Sequence, residues 1–164
     1  MHAVSKAIQG DFSVSRQFQL PSEVHSLSIS TGSAIDYLVV NFWNAQTVEV
    51  YSVKGLLEST SDAFTDNILS RVNVGDYAAF TALDIDKVHV FSLFGNSYLI
   101  VALSNGYVLG FNLYPDAVQS GTELQIVRLS TVFKCGNIVE VVNQPHKDAI
   151  LLTSDSGSFL LSVD

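Results

Sequence analysis

Disulfide chemistry is closed to this chain, because Cys135 is its only cysteine and a lone thiol has no internal partner. The same scarcity rules out a cysteine-rich zinc finger, and His2, His25, His89 and His146 stand too far apart in sequence to form a zinc motif of their own. Basic residues are few as well: eight Lys and Arg against sixteen Asp and Glu leave a formal charge of −8. No two of the eight lie close enough to make a run, so the chain is not expected to grip phosphate backbones directly. Apolar runs such as Tyr37–Val40 and Ala149–Leu152 end after a few residues, far short of the roughly 20 a membrane helix needs. The opening residues hold no continuous apolar stretch of the secretory kind, and Asn-x-Ser/Thr sequons are missing. A reducing compartment, nucleus or cytoplasm, is therefore expected.

What the chain has in quantity is sheet-forming sequence. Of its 164 residues 48% are hydrophobic, enough to bury a core and too many for a disordered chain. One pattern recurs three times, anchored on Leu38, Leu99 and Ile150: a short apolar run, a few turn residues, then a second, alternating run. The copies cover 37–53, 98–113 and 149–163. Units of this size cannot bury an apolar face alone and must stack on neighbours. The prediction is an all-β fold, a partial β-propeller of about three antiparallel four-stranded blades.

The blades divide the chain into a lead-in strand of a preceding blade (1–21), blade 1 (22–74), blade 2 (75–130) and an incomplete blade 3 (131–164). In blade 1, Glu23–Ser30 has apolar positions Val24, Leu27 and Ile29 that fall out of phase across His25-Ser26, which a β-bulge would reconcile. Asp36–Phe42 reads as a strand covered on both faces and Thr47–Val53 as one covered on a single face. Lys54–Asp66 reads as a loop with one helical turn capped by Ser61, followed by an outer strand at Asn67–Val74. Blade 2 takes Lys87–Phe94, Ser97–Leu103, Tyr107–Tyr114 and Glu123–Leu129, with a hairpin signal at Asn105-Gly106. Blade 3 takes Asn137–Val142, Lys147–Thr153 and Gly157–Val163. An unpaired edge there calls for the remainder of the propeller, or a partner chain, to close the ring.

Catalytic and metal constellations are not apparent. Asp84-Ile-Asp-Lys-Val-His89 could supply oxygen ligands to a hard cation, but it is also an ordinary polar lead into a strand, with fewer donors than a calcium loop. A hydrolase or lyase site would need polar groups on the innermost strands, which offer mainly Leu, Val, Ile and Ser. Cys135 beside Lys134 could be an activated thiolate or a small apolar strand residue. No catalytic, cofactor or metal residue is assigned, and no enzyme is expected. Trp43, in the turn Trp43-Asn-Ala-Gln46, is the one candidate contact residue: an exposed aromatic for a protein partner, or an indole packed between blades.

Glu23-Val-His-Ser-Leu-Ser-Ile29, Val40-Asn-Phe-Trp-Asn-Ala-Gln-Thr-Val-Glu-Val50 and Tyr98-Leu-Ile-Val-Ala-Leu-Ser-Asn-Gly106 together resemble a three-propeller scaffold family. That family includes the large subunit of the damaged-DNA-binding protein, the splicing factor 3b propeller subunit and the cleavage and polyadenylation specificity factor large subunit. The similarity covers about residues 20–130 and is greatest to the damaged-DNA-binding type. It implies a non-enzymatic protein-binding scaffold in the nucleus: a cullin ubiquitin-ligase adaptor for DNA repair, holding a cullin scaffold or substrate receptors. The alternative it implies is a scaffold in a splicing or 3′-end processing complex, with nucleic acid reached through partners.

Overall fold

A computed structural model describes residues 14, 16–30, 35–76, 84–93, 95–115, 124–134, 138–144 and 149–162. The fold is all-β, three successive antiparallel meanders arranged as the blades of a partial propeller. Blade 1 runs in the order β1 (Val24–Ser30), β2 (Tyr37–Phe42), β3 (Thr47–Ser52), β4 (Ser70–Asn73). Blade 2 repeats it with β5 (Ile85–Leu93), β6 (Asn96–Leu103), β7 (Tyr107–Pro115) and β8 (Leu124–Lys134). Blade 3 shows β9 (Ile138–Gln144), β10 (Ala149–Ser154) and β11 (Gly157–Ser162). Every strand pairs with its sequence neighbour, the order that short turns impose.

Strand alternation decides which face each side chain joins. Tyr37 and Val39 on β2, with Val48 and Val50 on β3, point toward blade 2 and join Val88, Val90, Leu99, Val101, Leu109 and Phe111 in one core. Burying each such aliphatic side chain contributes about 1.5–3 kcal/mol, so the seam between blades 1 and 2 is a major stabilising feature among the described residues. The residues that alternate with them, Val40, Phe42 and Tyr51, lie on the opposite face of blade 1.

An insertion covers the outer half of that opposite face. Helix α1 (Val53–Glu58) begins where the Ser52 hydroxyl accepts the Gly55 N–H at 3.1 Å, and it buries Leu56. A 3-10 turn over Phe64–Asn67 then brings Phe64 against Tyr51, Phe42 and Phe18, with ring centroids 4.2, 6.4 and 5.7 Å apart. The helical turn thus starts earlier than expected and its cap is Ser52. Ser61 instead accepts the Ala63 N–H and donates to Asp66. Among the described residues the expected lead-in is held by one parallel bridge, Gln19 to Ala63, while Arg16 donates to the Ser61 carbonyl at 2.9 Å and lies 5.2 Å over the Phe18 ring. Residues 1–13 and 15 of the lead-in lie outside the described residues, as do Cys135 and His146.

The inner strand of each blade is bulged at the same place. Register shifts fall between Val24 and Ser26 in β1, between Ile85 and Lys87 in β5, and opposite Thr153 and Ser154 in β9. The extra residue is His25 in blade 1 and Asp86 in blade 2. This is the bulge that the out-of-phase apolar positions of 23–30 call for, and its repetition shows that the blades are copies of one unit.

Blades 1 and 2 are also joined by hydroxyls. In an antiparallel pair every second N–H of an edge strand points away from its partner, and in β5 those of Val88 and Val90 point at β1. Ser26 Oγ accepts the first at 3.1 Å and Ser28 Oγ the second at 3.0 Å. Serine at alternate positions of β1 thereby closes an edge that two plain strands would leave open. The same register places Val24, Leu27 and Ile29 where blade 2 has Ile85, Val88 and Val90. Val88 and Val90 are 5% and 1% exposed beneath blade 1, whereas Leu27 and Ile29 are 57% and 55% exposed.

Candidate functional site

Bulges re-aim side chains, and here they build a cleft. His25, the extra residue of β1, turns out of the sheet and meets the Trp43 indole with ring centroids 5.1 Å apart. Trp43 sits in the β2–β3 turn, closed by the Ala45 N–H donating to the Phe42 carbonyl at 3.1 Å. Asn44 takes φ +59° there, a conformation that asparagine tolerates and most side chains do not. The turn is fixed from below by Asn41, 1% exposed, whose amide donates to the Ala45 and Thr47 carbonyls at 2.9 Å each. A further bond from the Trp43 N–H to the Glu23 carbonyl, 2.8 Å, ties the turn to the start of β1.

Blade 2 supplies the facing wall by the same construction. Asp86 is its bulge residue, Ser104 begins its β6–β7 turn, and the Ser104 N–H donates to the Asp84 carbonyl at 2.9 Å. His25, Trp43 and Asn44 on one side and Asp84, Asp86 and Ser104 on the other enclose about 250 Å³. Trp43 is 55% exposed at the rim, so its indole is not packed between the blades. Neither Asp84 nor Asp86 makes an ion pair among the described residues. The cleft offers an aromatic face, two carboxylates and neutral hydrogen-bonding groups, a combination suited to binding a side chain.

The other charged cluster is structural. Glu49 and Arg71 are cross-strand partners on β3 and β4, bonded at 2.9 Å, and Tyr51 donates its hydroxyl to the second Glu49 oxygen. Glu49 is buried and Arg71 half exposed, so this pair shields a carboxylate under the α1 insertion. Burial and the neighbouring Glu49 drive the Tyr51 hydroxyl well above the usual tyrosine range. Burial alone raises Tyr37 to about 12, and its hydroxyl, like that of its cross-strand partner Ser30, finds no hydrogen-bond partner among the described residues.

The Asp84–His89 stretch is split by strand alternation: Asp84 and Asp86 reach the cleft, while His89 Nδ1 lies 3.4 Å from Ser28 Oγ at the blade seam. Among the described residues no three His, Cys, Asp or Glu side chains converge as a metal site would require. Nor is any described helix long and apolar enough to cross a membrane. No protein-family model and no curated protein matches this chain.

Proposed function

We propose that the chain is a non-enzymatic protein-interaction scaffold, part of a nuclear propeller adaptor of the damaged-DNA-binding type. The observation that carries this reading is the half-exposed Trp43, on a turn braced by Asn41 at the mouth of a cleft between blades. A large aromatic fixed on a built turn contributes binding energy with little ordering cost, which is how interface hot spots work. The acidic balance of the chain favours protein partners over nucleic acid. The sequence resemblance across residues 20–130 supports the nuclear adaptor role, with a cullin scaffold or substrate receptors as partners. The bare inner face of blade 1, at Val24, Leu27 and Ile29, takes a further blade, from the remainder of the propeller or a partner chain, as Ile85, Val88 and Val90 take blade 1.

Affinity capture from nuclear extract, read for a cullin scaffold, tests the assignment. Capture by the native chain, reduced about tenfold or more by Trp43→Ala, is the expected result. Capture of splicing or 3′-end processing subunits instead would move the same scaffold to messenger-RNA processing. Recovery of neither would overturn the adaptor reading.

A further inference from the structure

We infer that the Trp43 cleft is a socket for one arginine side chain carried by a protein partner. This rests on the docking reading above and specifies the chemistry that the docked segment presents.

Size comes first. About 250 Å³ lies below the roughly 300–1,000 Å³ of small-molecule pockets, and suits one long side chain. Charge comes next. Asp84 and Asp86 face the cavity without an ion pair among the described residues, in a chain whose formal charge is already −8. Two uncompensated carboxylates on one wall repel an acidic ligand and attract a cation.

The opposite wall distinguishes among cations. The Trp43 indole is the aromatic surface that best attracts a positive charge within about 6 Å of its ring. A guanidinium is planar, stacks on such a ring and forks two N–H donors onto a carboxylate, whereas an ammonium is a compact, strongly hydrated point charge. His25 lies against the indole from the side of β1, its ring tilted 59° to it. Ser104 adds a neutral hydrogen-bonding group to the blade 2 wall. Stacking from one side and bidentate pairing from the other is the geometry an arginine satisfies and a lysine does not.

The construction of the cleft supports a recognition role. Both walls come from the same two positions of the repeat, the inner-strand bulge and the following hairpin turn. Blade 1 fills them with His25 and Trp43, blade 2 with Asp86 and Ser104, so neighbouring copies present an aromatic wall and an anionic wall to each other.

The test titrates the full 164-residue chain with N-acetyl-arginine amide, N-acetyl-lysine amide and N-acetyl-glutamate amide, following the Trp43 indole N–H and the backbone amides of Asp84 and Asp86 by heteronuclear NMR. Saturable shifts with arginine at roughly millimolar affinity are expected, about threefold or more weaker with lysine and undetectable with glutamate. Asp84→Asn with Asp86→Asn, which preserves shape, should weaken arginine binding about tenfold, as should Trp43→Ala; an unchanged melting temperature confirms each variant is folded. No saturable shift, equal binding of lysine, or binding indifferent to the Asp variants overturns the inference. The partner capture separates the two readings: if Trp43→Ala loses the partner while the Asp double variant keeps it, docking at the turn stands and the arginine socket falls. If both variants keep the partner, docking at this turn falls too.

Discussion

Replacing Ser28 with alanine removes one hydroxyl from the seam between blades 1 and 2 and leaves every apolar contact in place. Ser28 Oγ accepts the Val90 N–H at 3.0 Å, and that donor points away from β6, so no other strand can satisfy it. A buried donor left unpaired costs about 1–3 kcal/mol, and because this site is only partly buried the lower half of that range applies, about 1–2 kcal/mol. For a chain of this size each kcal/mol moves the melting temperature by about 2–4 °C, so a fall of roughly 2–8 °C is expected. Ser26→Ala removes the matching bond to the Val88 N–H and should cost a similar amount. The double variant should lose about the sum, since each hydroxyl serves its own donor. Thermal and urea denaturation of the four proteins measures this. If both single variants melt within about 1 °C of the native chain, the hydroxyls do not hold the blades together and the seam rests on apolar packing alone.

Other expectations follow from the buried polar groups. Arg71→Ala strips the buried Glu49 carboxylate of its cation and should destabilise the chain by about 1–3 kcal/mol, less than for a fully buried pair because Arg71 is half exposed; urea midpoints check this. Tyr37→Phe removes a buried hydroxyl that has no partner among the described residues and should leave stability unchanged or raise it by up to about 1 kcal/mol, a result a hydrogen-bonded tyrosine would reverse. Both Tyr37 and Tyr51 are held above their unfolded value of 10.0, so their contribution is complete below pH 10 and is lost as pH rises above it. For Tyr37 the two-unit rise to about 12 corresponds to roughly 2–3 kcal/mol, so denaturation midpoints should fall steeply between pH 10 and 12, more shallowly in Tyr37→Phe.

Much of the fold is legible in the residues, because strand patterns are local. The continuous apolar run at 37–42 and the alternation at 47–52 become β2 and β3, and the phase break at His25-Ser26 becomes a bulge. Elements that depend on distant partners are not legible. Phe18 sits in the expected lead-in strand, yet it covers Phe64 in the insertion, and among the described residues the lead-in forms its bridge at Gln19. Ser61 reads as the cap of the helical turn, but the helix starts directly at the end of β3 and Ser52 caps it. The fourth strand of blade 2 reads as Glu123–Leu129, but β8 runs on to Lys134. At Asn105-Gly106 the hairpin forms with only Gly106 at positive φ, and its N–H donates to the Leu103 carbonyl, so the asparagine need not adopt the mirror-image turn.

The cleft divides in the same way. Trp43 stands out in the sequence as the lone tryptophan in a polar turn, and Asp84 and Asp86 stand out as paired carboxylates. Nothing local joins them. The signal that could have done so is the repeat itself: His25 and Asp86 hold the same bulge, and aligning the copies on it sets the Trp43 turn of one blade against the Asp86 wall of the next. The alternate serines Ser26 and Ser28 likewise read as a wet face, and only the neighbouring blade gives them a role.

Amide hydrogen exchange at four equivalent positions tests the stacked-copy account most directly. Val88 and Val90, capped by serines and covered by blade 1, should be protected to nearly the global stability of the chain, while Leu27 and Ile29, at the same register on the uncovered edge, should exchange far faster. Equal protection at the two pairs would mean that blade 1 has no open edge to offer, and the account of a scaffold awaiting its neighbour would fail.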